Sequence, residues 1–97
     1  MLATICQYLA IKGYFFYRVN NVGVYDATRG AFRTMPKWSM RGVADVYVLH
    51  EGRSYFIEVK ATTKQSGDQM LFEKKVTKHG GTYILAYALQ DVQSILS

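Results

Sequence analysis

Cysteine, proline and long apolar runs are scarce in this sequence. Its only cysteine, Cys6, excludes an internal disulfide and a cysteine-rich zinc site, fits a reducing compartment, and is expected to be a buried structural thiol. No run approaches the ~20 consecutive apolar residues that span a bilayer, and the first residues lack the pattern of a signal peptide. These absences predict an intracellular, soluble protein that does not span a membrane.

Acidic residues are fewer than basic ones: the chain has seven Asp and Glu and twelve Lys and Arg, which gives a formal net charge of +5. This excess favours an anionic partner such as a nucleic acid, although many basic domains bind none. Linkers rich in Pro, Gly or Ser, internal repeats and low-complexity segments are also lacking. With 49% apolar residues, residues 1–97 are therefore expected to fold as one domain with one active site at most.

The spacing of apolar residues predicts an α/β fold that opens with a helix, a strand and a hairpin. Apolar residues at helical spacing before Gly13 predict the first helix, and the aromatic and β-branched residues 14–19 predict a strand. Residues 43–49 and 54–60 have the composition of two further strands. The short, glycine-containing connection between them, residues 50–53, predicts a β-hairpin.

The second half of the chain predicts a helix, a strand and a last helix. Ser66 and Gln69 have the spacing of a capping box, and Gly80-Gly81 would end the helix that they begin. Residues 82–88 predict a buried strand, and residues 91–96 predict a short helix. The expected inward positions of the two helices are Met70, Leu71, Phe72 and Val76 in the first and Val92, Ile95 and Leu96 in the second.

A long basic connection, residues 20–41, separates the first strand from the hairpin. Besides Gly23, Gly30, Pro36 and the only tryptophan, Trp38, it contains four basic side chains, Arg29, Arg33, Lys37 and Arg41. One interpretation is a solvated loop or an irregular hairpin, and the other is a surface that contacts nucleic acid. The sequence leaves both open.

Three charged residues of the predicted hairpin suggest a metal site. Side chains alternate along a strand, so Glu58 and Lys60 point to the same side. The short turn puts Asp45 opposite Glu58, near enough for both carboxylates to bind one hard cation. Asp45 also lies among valines, where a covered acidic side chain needs a metal or a charged partner.

Two carboxylates and a lysine suit metal-dependent hydrolysis of a phosphodiester. Mg²⁺ or Mn²⁺ held by Asp45 and Glu58, with the backbone carbonyl of Val59 as a third ligand, would neutralise the scissile phosphate and lower the pKa of an attacking water. Lys60 would orient or deprotonate that water and offset the charge of the transition state. The alternative interpretation is a cross-strand salt bridge on a solvated sheet, which adds little stability.

The sequence also resembles the VRR-NUC domain, a branch of the PD-(D/E)XK nuclease superfamily that occurs in small phage proteins and in a larger DNA-repair nuclease. The resemblance covers most of the chain. Its most specific elements, in order, are Arg41-Gly42-Val43-Ala44-Asp45, Glu58-Val59-Lys60, and Gln69 followed by Phe72. Tyr8-Leu9 with Gly13 and Arg18-Val19-Asn20-Asn21 extend it towards the N-terminus.

The resemblance implies a fold and a set of roles. The expected fold is a restriction-endonuclease-like α/β core of order αβββαβ, with a mixed central sheet flanked by helices. Asp45 and Glu58 would be metal ligands, Lys60 the catalytic lysine, and Gln69 a residue near substrate or water. The resemblance also implies a homodimer that pairs two active sites on branched DNA such as a Holliday junction.

One departure from the family pattern keeps a second function open. The family usually has a glutamate early in the first helix, whereas this chain has Gln7, so that ligand is lost or precedes Met1. The first hypothesis is a homodimeric endonuclease that cuts branched DNA inside the cell, in the host cytoplasm if a phage encodes it. The alternative is a non-catalytic module that binds DNA structures and has a weakened metal site. A basic interaction domain with accidental carboxylates is a third hypothesis.

Several residues around the predicted metal site have two compatible interpretations. Gln69 fits both a helix cap and a site residue. Lysines near it either contact phosphates, which fixes orientation without reading sequence, or lie on a solvated helix face. His50 and His79 lack the spacing of a zinc site and are expected to be structural. The candidate DNA contacts are Lys37, Arg41, Lys64, Lys74 and Lys75.

Overall fold

The computed structural model describes residues 1–19 and 38–97, together with the backbone of residues 25–26 and 31–32. Its elements are α1 (Leu2–Lys12), β1 (Phe15–Arg18), β2 (Tyr25–Asp26), β3 (Ala31–Phe32), β4 (Val46–His50), β5 (Arg53–Val59), α2 (Gly67–Lys78), β6 (Thr82–Ala86) and α3 (Leu89–Gln93). Leaving aside the β2–β3 pair, the order is αβββαβα. The predicted α/β class and its αβββαβ core order are confirmed.

The central sheet has four strands in the order β1-β4-β5-β6. The β1–β4 and β4–β5 pairs are antiparallel and the β5–β6 pair is parallel, so the sheet is mixed as predicted. A parallel pair needs a crossover connection, and α2 supplies it. Within the basic connection, β2 and β3 form a separate antiparallel pair; Arg29, Arg33 and Lys37 lie outside the described residues.

The two faces of the sheet have different cores. On one face, α1 and α3 cover a large apolar core whose fully buried members are Ile5, Leu9, Val46, Val48, Ile57, Val92 and Leu96. On the other face, α2 covers a smaller core of Ala44, Phe72 and Val76, which Phe56 and Tyr83 join. Because burying one such apolar side chain stabilises a fold by ~1.5–3 kcal/mol, most of the stability comes from the first face. The α2 face is therefore the one that can accommodate polar groups.

Strand alternation along β5 follows the prediction. Tyr55 and Ile57 are buried towards α1 and α3, whereas Phe56 packs towards α2. The β4–β5 turn consists of Glu51 and Gly52, with φ of 51° and 76°, and two positive φ values define the type I′ turn that suits a two-residue hairpin. The hairpin prediction is confirmed, with a turn shorter than residues 50–53.

Hydrogen bonds connect the N-terminal segment to the C-terminal residues beside the core that α1 and α3 cover. Gly13, with φ 80° and ψ 21°, ends α1 in the left-handed conformation that glycine adopts without strain. Nearby, the Tyr8 hydroxyl donates to the Leu96 carbonyl at 2.7 Å and the Tyr14 hydroxyl donates to the Ser97 carbonyl at 2.8 Å. None of the described helices is long and apolar enough to cross a membrane.

Three predicted inward side chains are instead exposed. Met70 is 50% exposed, Leu71 56% and Ile95 47%, so their prediction as core residues is wrong. Only Phe72 and Val76, four residues apart on one stripe of α2, are buried, because the helix meets the sheet along one line of contact. The last helix begins at Leu89 instead of Asp91, since the Asp91 carboxylate accepts the Tyr87 and Ala88 N–H groups and so belongs to its first turn.

Candidate functional site

Asp45 lies at the end of the β4–β5 ladder and faces Glu58. The register pairs Val46 with Ile57, and one further step puts Asp45 opposite Glu58, as predicted. The Asp45 carboxylate accepts the Val59 N–H at 2.9 Å, while its backbone carbonyl accepts the Val19 N–H at 2.8 Å. The side chain thus replaces the ladder bond that β4 would have made, which is why β4 begins at Val46 and not at residue 43. Both bonds hold the carboxylate in place.

Glu58 is a buried carboxylate, 4% exposed, on the α2 face of β5. Its Oε2 accepts a hydrogen bond from Gln69 Nε2 at 2.9 Å, whereas its Oε1 is buried and has no hydrogen-bond partner among the described residues. Burial raises the pKa of Glu58 to about 7, the Lys60 ammonium opposes the increase, and the negative charge of Asp45 adds to it, as does a hydrogen bond that protonated Glu58 makes with Asp45. A cation beside Oε1 would remove this penalty.

Gln69 caps α2 and also donates a hydrogen bond to Glu58. Its side-chain oxygen accepts the Ser66 N–H at 2.9 Å while its backbone N–H donates to the Ser66 hydroxyl at 3.2 Å, which completes a capping box at the start of α2. Its side-chain amide is then free to donate to Glu58. The cap therefore orients the Gln69 amide towards the carboxylate.

We expect Gln69→Ala to raise the pKa of Glu58 above its value of about 7. An N–H donor favours the ionised carboxylate, so its removal favours the protonated form. Ser66→Ala is the matched control, because it removes the Ser66–Gln69 cap bond, at a cost of ~1 kcal/mol, without touching Glu58. Carboxyl ¹³C NMR titration of Glu58 measures both. Equal pKa values in the two variants would contradict the orienting role of Gln69.

Lys60 follows the last residue of β5 and is partly buried. Its backbone N–H donates to the Ala86 carbonyl at 2.9 Å, which extends the parallel pairing of β5 with β6. Strand alternation puts its side chain on the same side as Glu58, and its ammonium lies near enough to lower the pKa of Glu58. Lys60 is not among the residues that line the cavity over the carboxylates, so its grouping with both of them stays a prediction.

An open cavity of about 290 Å³ lies over the two carboxylates, and we call it the carboxylate cavity. Its lining residues are Gly42, Val43, Asp45, Glu58, Ser66, Asp68 and Gln69. Sequence reasoning missed Asp68, although its position next to Gln69 in the first turn of α2 was a usable signal. Among the described residues, no group of three or more His, Cys, Asp or Glu is placed to hold a metal ion. The acidic residues that line this cavity are Asp45, Glu58 and Asp68.

Gly42 allows the chain to pass directly against the first turn of α2. Its φ is +72°, and an added Cβ would lie 2.7 Å from the Gln69 nitrogen and closer still to the Asp68 carbonyl. These neighbours are backbone atoms of a capped helix turn and cannot rotate away. The glycine of the Arg41-Gly42 motif is therefore what brings the Asp45 segment and the Gln69 turn together.

The core under α2 contains an aromatic cluster. Phe56, Phe72 and Tyr83 pack edge to face, with ring centroids 5.4 and 6.2 Å apart. Burial raises the pKa of Tyr83 to about 12; nearby Gln65 opposes this increase, and the charges of Glu58 and other carboxylates add to it. The Tyr83 hydroxyl is buried and has no hydrogen-bond partner among the described residues.

The predicted DNA contacts are only partly near the carboxylates. Arg41 is exposed and directly precedes Gly42, and Lys64 is exposed just before the α2 cap. Lys74 and Lys75 are exposed on α2, but Lys75 lines a different cavity. Lys37 lies outside the described residues. Gln7, which occupies the position of the family glutamate, lines a groove between α1 and β1 and not the carboxylate cavity.

The structure thus defines an α/β domain with an acidic cavity at the junction of a β-hairpin and a capped helix. Comparison of the chain with protein-family models, with characterised proteins and with solved structures found no match. The resemblance to the VRR-NUC domain stays a prediction.

Proposed function

We propose that this protein is a Mg²⁺- or Mn²⁺-dependent deoxyribonuclease that hydrolyses DNA phosphodiesters as an endonuclease, with branched DNA such as a Holliday junction as its substrate. One observation carries the proposal. Glu58, a buried carboxylate opposite Asp45, has one oxygen without a partner, in a cavity bordered by a capped helix turn. A buried anionic oxygen needs a donor or a cation, and a hard divalent cation satisfies it best.

The donor set fits a magnesium-type ion. Such ions are usually held by one or two carboxylates and keep their other positions for water and substrate phosphate. Asp45 and Glu58 supply the carboxylates. In a β-strand, the N–H and the C=O of one residue point to the same neighbouring strand. The Val59 N–H points to Asp45, so the Val59 carbonyl points the same way and would serve as the third ligand. The bound ion would neutralise the scissile phosphate and make water more acidic.

The chain's own residues would prepare the site before substrate arrives. The Val59 N–H fixes the direction of the Asp45 carboxylate, and the Gln69 amide fixes that of Glu58, so neither must reorganise during the reaction. Lys60 would hold the attacking water or take its proton, and its positive charge would offset the charge that grows on the phosphate oxygens.

The formal charge of +5 and the exposed Arg41 and Lys64 beside the site support DNA as the partner. We further propose a homodimer working inside the cell, with two sites on one branched DNA. Support for pairing comes from β1, at an edge of the central sheet among the described strands, where Phe15 is 63% and Tyr17 53% exposed. Exposed apolar side chains on an edge strand are a common basis for association.

The proposal is tested with labelled four-way-junction, flap and linear duplex DNA in EDTA, Mg²⁺ or Mn²⁺. We expect metal-dependent cutting that is strongest on the junction, and Lys60→Ala should slow it by ~10²–10³-fold, the usual effect of losing one charge-stabilising group. Lys12→Ala, which removes the same charge from the exposed end of α1, is the control and should cut like the wild type. Cutting by Lys60→Ala at the control rate would overturn the assignment.

A non-catalytic DNA-structure-binding module is the second candidate. It is favoured because no group of three or more His, Cys, Asp or Glu among the described residues is placed to hold a metal ion, and because Gln7 lies outside the carboxylate cavity. The same assay separates the two. Tight junction binding without cutting in any metal would favour the binding module over the nuclease.

A further inference from the structure

A second cavity, of about 450 Å³, lies at the other end of α2, between that helix and the β4–β5 hairpin, and we call it the hairpin–helix pocket. Arg53 of the hairpin and Lys75 and His79 of the helix line it. It opens on the same face of the sheet as the carboxylate cavity. Helical residues from Gln69 to His79 span about 15 Å, which is the approximate separation of the two cavities.

The pocket carries only positive or neutral lining groups. None of its lining residues is acidic, and Arg53 forms no ion pair within the part of the chain that the structure describes. Cations at the end of α2 also offset the negative end of the helix dipole, which explains Lys75 and His79 without a ligand. That explanation does not cover Arg53, because it belongs to a strand. Three such side chains around one opening form a receptor for an anion.

The inner part of the pocket is apolar and aromatic. Phe56, Phe72 and Val76 form it, with the Phe56 and Phe72 rings edge to face at 5.4 Å. The wall beside them is Gly80-Gly81, where an added Cβ at Gly81 would lie 2.9 Å from Val76 Cγ1. The glycine pair therefore brings bare backbone close to the apolar floor. A cationic rim above an apolar floor suits a ligand with both a phosphate and a flat ring.

We propose that the hairpin–helix pocket binds a phosphate-bearing nucleotide, with the phosphate on Arg53, Lys75 and His79 and the base against the Phe56 and Val76 surface. In the setting of the proposed nuclease, on which this part rests, the nucleotide belongs to the DNA strand that enters the carboxylate cavity. A separation of about 15 Å corresponds to about four nucleotide steps at 3.4 Å each. The pocket would then position the strand about four nucleotides from the bond that is cut.

The test is carried out in EDTA, so that it does not depend on cleavage. Fluorescence polarisation of a labelled twelve-nucleotide single strand measures affinity, and ¹⁵N NMR of the Gly80 and Gly81 amides during titration with deoxythymidine monophosphate reports on the pocket itself. We expect an Arg53→Ala/His79→Ala double variant to bind the strand at least 10-fold more weakly and to lose the glycine shifts. Arg18→Ala/Lys12→Ala, which removes two cationic side chains that do not line the pocket, is the control and should stay within about 2-fold.

Equal weakening in the control, or unchanged affinity with no glycine shifts, would overturn the pocket. Free nucleotide bound as tightly as the strand would support nucleotide binding and overturn its assignment to a DNA strand. The outcome is separate from that of the nuclease proposal. DNA cutting without glycine shifts refutes only the pocket, whereas glycine shifts that the double variant loses, without cutting in any metal, refute only the nuclease.

Discussion

Glu58→Gln is expected to stabilise the metal-free protein and to abolish DNA cutting. The substitution keeps the shape of the side chain and the oxygen that accepts the Gln69 amide. It removes the negative charge of a side chain that is 4% exposed and that has one oxygen without a hydrogen-bond partner among the described residues. In EDTA at pH 8 we expect the free energy of unfolding to rise by about 3 kcal/mol. In Mg²⁺ we expect cutting to fall to the level of the EDTA control, because a neutral amide is a poor ligand for a hard cation.

The gain in stability should depend on pH in one direction. Glu58 has a pKa of about 7 in the folded protein against an ordinary value of 4.5, so the folded state binds the proton more tightly than the unfolded chain does. Below pH 4.5 both states are protonated and the group costs nothing. Between pH 4.5 and 7 the unfolded chain releases this proton while the folded protein keeps it, so up to about 3 kcal/mol of stability is lost, and the loss is complete once the pH has risen through 7. The variant should therefore exceed wild type at pH 8 and equal it near pH 4.

Urea denaturation at the two pH values, with and without Mg²⁺, measures these effects together. Mg²⁺ should stabilise wild type at pH 8, because it binds the folded state and holds Glu58 ionised, and it should leave the Gln variant unchanged. Glu51→Gln is the matched control, since Glu51 is exposed in the hairpin turn. A Glu58→Gln variant less stable than wild type in EDTA at pH 8 would show that Glu58 is not strained in the folded protein.

The parts of the fold and site that the sequence predicted are the local ones. The hairpin follows from two β-rich runs around a glycine turn, and its register then puts Asp45 opposite Glu58 by counting residues. The cap of α2 follows from Ser66 and Gln69, three residues apart. Each of these depends on neighbours within about fifteen residues, where backbone geometry leaves few alternatives.

The parts that the sequence did not predict depend on contacts between distant segments. The burial of Tyr83 beneath the site comes from the β5–β6 pairing and the α2 crossover, which spacing cannot specify. The exposure of Met70 and Leu71 has the same origin, because the apolar pattern of α2 allows several contact lines and packing selects one. The hairpin–helix pocket also forms only when the hairpin and the end of α2 come together, because its lining residues Arg53 and His79 are far apart in the chain.

The site also depends on the contact between Gly42 and the first turn of α2, and Gly42→Ala is expected to break it. The added Cβ would meet the backbone of Asp68 and Gln69, and its φ of +72° is unfavourable for alanine. The strained φ costs about 1 kcal/mol and the clash a further 1–3 kcal/mol, so we expect a loss of about 3 kcal/mol in the free energy of unfolding. That is a large share of the 5–15 kcal/mol typical of a small domain.

Gly13→Ala separates the two causes of this loss. Gly13 has φ +80°, close to that of Gly42, but an added Cβ there would have no neighbour within 4 Å. It should therefore show only the backbone cost of about 1 kcal/mol. In Gly42→Ala the first turn of α2 must also move away from the Asp45 segment, which takes the Gln69 amide from Glu58. Equal losses in the two variants would mean that the segment before β4 yields instead of α2, and that Gly42 does not hold the cavity together.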